Sequence, residues 1–505
     1  MKNRIYFLSL ILAFVFLSVL IISKHEIWRD EGRAWLIAGS AEYLPTLFKA
    51  LKYDGTPALW HLILNPFAKA GLPIITMSIL HFLIIFSAIL IFLRLSPFSL
   101  LHKTLFIFGY YILYEYNTIA RSYSLTVLFL FITASIYKYR FKKPYLYFIT
   151  ISLLATSNLH SLCISIALVL FYFYEIIAGE TASNHFEKNI DNKIFTYKHF
   201  MAALIFGSTL LFCVYQLLPP SDLTRTLTGW KGSKLSTIPN ALISAFFPVQ
   251  IPQLNFWNTK LLYYPDTGRY FWGFPLLLMS LLVFIRKPRA MAIYSLTSLS
   301  LLALFALKYG GSTRHHGLIF ILFIFSLWIA ENYKEYSFFP GKKTNNIFSV
   351  RTINIIFTIL LIFQVLASPI PAYFDNKYDF SAGKKAANYL QNNKFLNEDT
   401  FVCVYDFFSA EAILPYTKTG FYSIENSKFE RFIIFNTGCD KAFETTIKYK
   451  TDIIDKATAG KNYKNIILIL NSENKDQNFL KAYKMTAYFD KTIVRDESYY
   501  IYLKK

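Results

Sequence analysis

From Ile5 to Ser23 the chain runs for 19 residues without a charge, and nearly all of them are aliphatic or aromatic. A helix of that length rises about 28 Å, close to the thickness of a bilayer's hydrocarbon layer. Further apolar runs recur at 73–94, 104–117, 122–137, 145–156, 160–178, 199–218, 272–285, 290–307, 316–331 and 352–370. Together with 5–23 they predict a multi-pass α-helical membrane protein of eleven spans. Only 16% of the residues are charged, where a soluble protein carries roughly 25%, and aromatic side chains make up 18%. Intrinsic disorder, collagen-like repeats and a disulfide scaffold need the opposite composition. The first run is too long for the apolar part of a signal peptide and no A-x-A site follows it, so it is expected to remain as a span.

The net charge of +21 would ordinarily point to nucleic acid, but the excess sits in short loops between apolar runs, where it orients a membrane protein instead. Scored loop by loop with the N-terminus inside, 18 Lys and Arg fall on that side: Lys2, Arg4, Arg94, Lys103, Lys138, Arg140, Lys142, Lys143, Lys188, Lys193, Lys198, Arg286, Lys287, Arg289, Lys334, Lys342, Lys343 and Arg351. The short loops opposite hold only Arg121, Lys308 and Arg314. Short-loop bias sets orientation, so the N-terminus is expected in the cytoplasm and residues 371–505 outside. A cell inner (plasma) membrane is expected, because no retention signal is seen, and no nucleic-acid partner is expected.

The chain therefore divides into a membrane domain, 1–370, with two long outer loops at 24–72 and 219–271, and an external domain, 371–505. The external part opens with a helix predicted from Ser381 and continues with strand-like runs at Thr400–Tyr405, Gly420–Ile424, Arg431–Phe435, Asn465–Asn471 and Tyr499–Leu503. Helical stretches alternate with these runs, which predicts a small α/β domain. Cys163 and Cys213 fall in spans and are expected to pack. Cys403 and Cys439 share the external domain, where either a disulfide or two buried thiols fits their placement.

Polar residues that hydropathy does not explain cluster on the outer side. Directly after the first run comes Trp28-Arg29-Asp30-Glu31-Gly32-Arg33-Ala34-Trp35, two carboxylates between arginines and tryptophans. A carboxylate at the lipid boundary with basic neighbours suits a base that works on a lipid-bound phosphate ester. The plain alternative is an interfacial amphipathic helix. Tyr53-Asp54-Gly55-Thr56-Pro57 reads as a turn leading into Trp60-His61, with Asp54 and His61 as supporting residues on the acceptor side. Arg121 and His160 stand in short outer loops. Lys308, Arg314, His315 and His316 crowd one Gly-containing turn, which fits a phosphate, with Arg as a bidentate fork and Lys as a point charge. The adjacent histidines leave a divalent metal open, but no carboxylate–His spacing marks a closed site and no cofactor is indicated.

Taken in order, Asp30-Glu31, the Tyr53–Pro57 region, Arg121-Ser122-Tyr123 and Arg314-His315-His316 resemble the GT-C membrane glycosyltransferases. Within them they are similar to the protein O-mannosyltransferase and aminoarabinose-transferase branch, family 39-like. The resemblance spans residues 1–370. It departs at Gly55-Thr56-Pro57, where many relatives carry a His-Pro-Pro or Lys-Pro-Pro turn. It implies a polyprenyl-phosphate sugar donor held among membrane lipids, a glycan, lipid or protein acceptor, and inverting transfer to a hydroxyl on the outer face. Asp30 and Glu31 would be catalytic, with Asp30 taking the acceptor proton. Arg121, Lys308, Arg314, His315 and His316 would bind the donor phosphate, and Asp54, His61 and His160 would serve the acceptor side. An O-antigen ligase or polymerase, which relies on external Arg and His, and a transporter of lipid-linked sugars are the competing functions.

Overall fold

A computed structural model describes residues 2–178, 196–224, 234–263, 268–336, 349–443 and 447–505. Lys188, Lys193, Lys342 and Lys343, four of the charges used to orient the chain, lie outside these residues. The protein is mostly helical, with a small sheet near its C-terminus.

Helices stand at each of the eleven apolar runs, but among the described residues seven are long and apolar enough to cross a membrane: Arg4–Lys24, Ile75–Leu95, Leu159–Ile177, Tyr197–Leu217, Pro288–Leu307, Thr313–Ala330 and Val350–Lys377. The other four expected spans are shorter in the structure. Tyr123–Ile136, Pro144–Ala155 and Gly268–Leu282 have 14, 12 and 15 residues. The run at 104–117 breaks after Leu100–Ile107 into a π-helical turn, Tyr111–Glu115. That turn is held by packing. A Cβ on Gly317 would lie 2.0 Å from Cε1 of Tyr111, so the glycine makes room for a ring whose hydroxyl donates to the Ser244 carbonyl at 2.6 Å.

One counted loop charge is internal. Arg140 is 2% exposed and grips Glu175 through Nε and Nη2 at 2.9–3.1 Å, while the Tyr333 hydroxyl donates to the same carboxylate at 2.8 Å. A buried guanidinium needs a paired and hydrogen-bonded counter-charge, and Glu175 supplies it.

Where a long loop was expected at 24–72, three short helices follow α1 (Lys2–Lys24): α2 (Arg29–Ser40), α3 (Leu44–Asp54) and α4 (Leu59–Lys69). Gly55 ends α3 at φ +59°, the left-handed cap that glycine adopts without a Cβ penalty. These helices lie beneath the C-terminal domain, whose six strands are β1 (Thr400–Val404), β2 (Phe421–Ser423), β3 (Lys428–Glu430), β4 (Asn465–Leu470), β5 (Tyr483–Phe489) and β6 (Tyr499–Lys504). Their order is β3-β2-β1-β4-β6-β5, with β1 parallel to both β2 and β4 and the outer pairs antiparallel. The first helix is Gly383–Asn392.

The strand expected at Arg431–Phe435 is absent, because its backbone serves other partners. The Ile433 N–H donates to the Glu411 carboxylate at 2.7 Å, and the Arg431 guanidinium is drawn to the Leu414 and Thr417 carbonyls. β5 was not expected. Beyond the buried Tyr483 its residues are exposed or half-buried at the sheet edge, so its apolar signal is weak. All four cysteines are free thiols.

The charge bias predicts an orientation that is open to a direct measurement. Maleimide should label Lys142→Cys only from the cytoplasmic side and Lys475→Cys only from the opposite side. Outside labelling at position 142 would reverse the assignment.

Candidate functional site

The first turn of α2 assembles the site. Trp28 precedes the helix in an extended conformation and Glu31 is its third residue. The Glu31 carboxylate accepts the Trp28 N–H at 3.1 Å, the reach-back half of a capping box. The same carboxylate accepts the Ala120 N–H at 2.5 Å and a proton of His25 Nε2 at 3.2 Å. His25 Nδ1 faces Asp375 at 2.9 Å. Glu31 is therefore fully buried, satisfied from three directions, and tied to the residue before Arg121.

Asp30, one position earlier, points the other way. Its Oδ2 accepts from Arg314 Nη2 at 3.1 Å and lies 3.8 Å from Arg121 Nη2. The backbone carbonyl of Asp30 accepts from Arg121 Nη1 at 2.5 Å. Among the described residues, Oδ1 has no protein hydrogen bond. Asp30 lines a cavity of about 450 Å³, within the range of sites that enclose a small ligand. Its walls include Trp28, Trp257, Tyr309 and Arg314, and the C-terminal domain closes one side with residues 493–496.

Arg314 packs beside two indole rings in this wall. Its guanidinium lies 5.0 Å from the ring centre of Trp28 and 5.5 Å from that of Trp257, and those rings meet edge to face at 4.8 Å. Its Nε and the indole N–H of Trp28 are buried without a protein acceptor. Arg314 stands in the first turn of the Thr313–Ala330 helix, whose Thr313 N–H is capped by the side-chain oxygen of Asn258 at 3.2 Å. Asn258 holds φ +65°, a conformation asparagine tolerates better than most residues. A guanidinium at a helix N-terminus with a donor unspent is the kind of group that can bind an anion.

The remaining sequence candidates fall elsewhere. Lys308 caps the Pro288–Leu307 helix and does not line the cavity. His315 Nδ1 accepts the Ser312 N–H at 2.8 Å and its ring stacks on His160 at 4.8 Å. His316 is bonded between Ser244 Oγ and the Gly310 carbonyl at 3.2 and 2.9 Å. These imidazoles hold the turn that presents Arg314. Asp54 is bound to Arg33 Nε at 2.5 Å. Burial costs the Asp54 carboxylate, yet Arg33 holds it below the usual aspartate range. His61 is buried with both ring nitrogens unpartnered; burial pushes it down to about 4 against the pull of Asp54, with Arg121 and Arg33 adding to the fall. Among the described residues no group of His, Cys, Asp or Glu is placed to hold a metal ion.

Sequence reasoning missed the wall opposite Asp30: Asn255, Trp257, Asn258, Arg495 and Asp496. The run Asn255-Phe256-Trp257-Asn258 is a polar–aromatic signal inside an outer loop, but nothing in the sequence links it, or residues 493–496, to the turn after α1. No family model, no curated protein and no solved structure matches this chain.

The His25 junction carries a pH dependence. Burial alone would lower the His25 imidazole, but Asp375 and Glu31 raise it well above its ordinary 6.5. Burial, with Asp379, holds Glu26 up to about 7 against the Phe380 N–H that it accepts. Both groups bind a proton more tightly folded than unfolded, so each contributes stability at low pH that is lost as pH rises. For Glu26 that contribution is complete below 4.5 and gone above about 7; for His25 it is lost only above 6.5. Between pH 5 and pH 7 in detergent the wild type should lose melting temperature relative to Glu26→Gln, because the variant has no carboxyl to titrate there. Identical slopes for wild type and variant would rule out the Glu26 contribution.

Proposed function

We propose that this chain is an integral membrane glycosyltransferase that moves a sugar from a polyprenyl-phosphate donor to an acceptor hydroxyl, on the side of the membrane that carries the C-terminal domain. The observation that carries the proposal is one cavity in which the free oxygen of Asp30 stands beside Arg314. That cavity lies where the apolar helices end and the external domain begins.

The chemistry is a single displacement. Asp30 Oδ1 takes the proton as the acceptor oxygen bonds to the anomeric carbon. The bond from that carbon to the phosphate oxygen breaks, and the electron pair leaves with the phosphate. Arg314, with Arg121 behind it, stabilises the charge that develops there. Trp28 and Trp257 offer flat apolar faces to a sugar ring. Glu31, spent on two backbone N–H groups and His25, acts as a positioning residue for Asp30 and Arg121 and not as a second base. Lys308, His315 and His316 support the turn that carries Arg314. The polar cavity lies at one end of the helices and not at mid-span, where a transporter's binding site is built.

Asp30→Asn keeps the side chain's shape and removes the proton acceptor. Transfer from a radiolabelled prenyl-phosphate sugar should fall about 10²–10⁴-fold, with donor binding retained. Arg314→Ala should instead weaken donor binding, by about tenfold or more for a lost charge-assisted contact. Glu31→Gln leaves a hydrogen-bonding side chain in place and should lower both melting temperature and turnover. Full turnover by Asp30→Asn would remove the base and favour a ligase-type mechanism on Arg314.

A further inference from the structure

Five charged side chains line the cavity: Arg29, Asp30, Arg314, Arg495 and Asp496. Four of them are matched. Asp30 is paired with Arg314, and Asp496 with Arg29. Among the described residues Arg495 has no counter-charge, although both its neighbours in sequence are engaged. It is exposed at the rim of the cavity, on the C-terminal domain.

The backbone that carries it is held from several directions. Asn255, from the outer loop of the membrane domain, donates its amide to the Thr492 and Ile493 carbonyls at 2.9 and 3.0 Å. The Ile493 and Val494 N–H groups bond to the Asp379 and Phe380 carbonyls at 2.9 and 3.1 Å. Asn471 donates to the Asp496 carbonyl at 2.6 Å. The buried carboxylate of Glu497 accepts the Arg29 N–H at 3.1 Å. An exposed arginine on a loose surface loop needs no explanation. Here a backbone tied to both domains places an unused five-donor fork at a cavity mouth, so only the side chain itself has to be ordered when an anion binds.

We propose that the cavity takes two anionic groups, the first at Arg314 and the second, a phosphate or carboxylate, at Arg495. This rests on the donor site proposed above and extends it. The second group comes either from the donor, as the inner, lipid-linked phosphate of a prenyl diphosphate whose outer phosphate sits at Arg314, or from an acidic acceptor. Either way the C-terminal domain takes part in substrate selection.

The test uses the full-length protein in detergent with three probes: farnesyl phosphate, farnesyl diphosphate and inorganic phosphate, the last added to protein saturated with farnesyl phosphate. Binding is read by calorimetry for wild type, Arg495→Ala, Arg495→Lys, Arg314→Ala and the surface control Lys475→Ala. The two lipids share a tail, so their affinity ratio reads the second phosphate alone. If that group belongs to the donor, wild type prefers the diphosphate and Arg495→Ala loses that preference by about tenfold. If it belongs to the acceptor, the lipid ratio is unchanged and Arg495→Ala loses binding of inorganic phosphate beside the bound lipid. Arg495→Lys restores part of either effect. Equal binding of all three probes by wild type and Arg495→Ala, with both melting alike, overturns the proposal. Unchanged farnesyl phosphate affinity in Arg314→Ala would strike the donor site itself, an outcome read separately from Arg495.

Discussion

A carboxylate with no access to water must have its lone pairs filled, and meeting that demand for Glu31 organises this end of the molecule. Its oxygens take the Trp28 N–H, the Ala120 N–H and His25, which come from the start of α2, the loop before Tyr123–Ile136 and the end of α1. Through His25 the network reaches Asp375, in the last turn of the final apolar helix, Val350–Lys377. The α1–α2 junction, Ala120 and Asp375, far apart in sequence, are thus held at one point. Asp30 and Arg121 are the neighbours of Glu31 and Ala120, so their contact behind the cavity wall follows from the placement of Glu31.

The C-terminal domain is joined to this frame by charges on the same helix. Arg33, one turn beyond Arg29, is buried and divides its donors between Asp54 of α3, Glu411 and the Ile433 carbonyl. Its guanidinium also covers the Phe435 ring at 4.7 Å. Arg29 reaches Asp496 and Glu497. Between the two arginines sits Gly32, where a Cβ would lie 1.9 Å from the Glu411 carbonyl oxygen. No side chain fits at that approach. Burying ion pairs in an interface costs desolvation that well-packed apolar residues avoid, but charges fix the register of the two surfaces and so place residues 493–496 against the cavity.

The helical membrane architecture was legible because hydropathy acts over long, local stretches, and a helix does stand at every apolar run. Span lengths were less legible. The break at Tyr111–Glu115 depends on Gly317, some 200 positions away, and Pro144–Ala155 is set by neighbours that let a short helix stay buried. Asp30 and Arg314 could be singled out as charges at the ends of apolar runs, and the fold pairs them. Glu31 could not be told from Asp30, since facing the interior or the cavity is decided by one residue's rotation around α2. The histidines drew attention by crowding, yet crowding at a helix start also describes a capped turn, and their ring nitrogens bond to Ser312, Ser244 and Gly310. The wall from residues 493–496 left no trace, because it depends on how two separately folded parts meet.

On the proposed reading, the division of labour among the arginines follows from how each is held. Arg121 donates to the Asp30 backbone and stands 3.8 Å from its carboxylate, so it fixes where Asp30 is. Arg314 lies against two indole rings and lines the cavity with its Nε unspent, so it retains donor capacity while the rings limit its movement. A cation preset in this way does not have to reorganise when charge appears on a leaving phosphate, and that is the condition under which electrostatic stabilisation is largest. The same rings that restrain Arg314 form the apolar wall of the cavity. A sugar resting there would exclude water from the guanidinium and strengthen its field at the phosphate. Binding the sugar and stabilising the leaving group would then be one arrangement of Trp28, Trp257 and Arg314, not two separate sites.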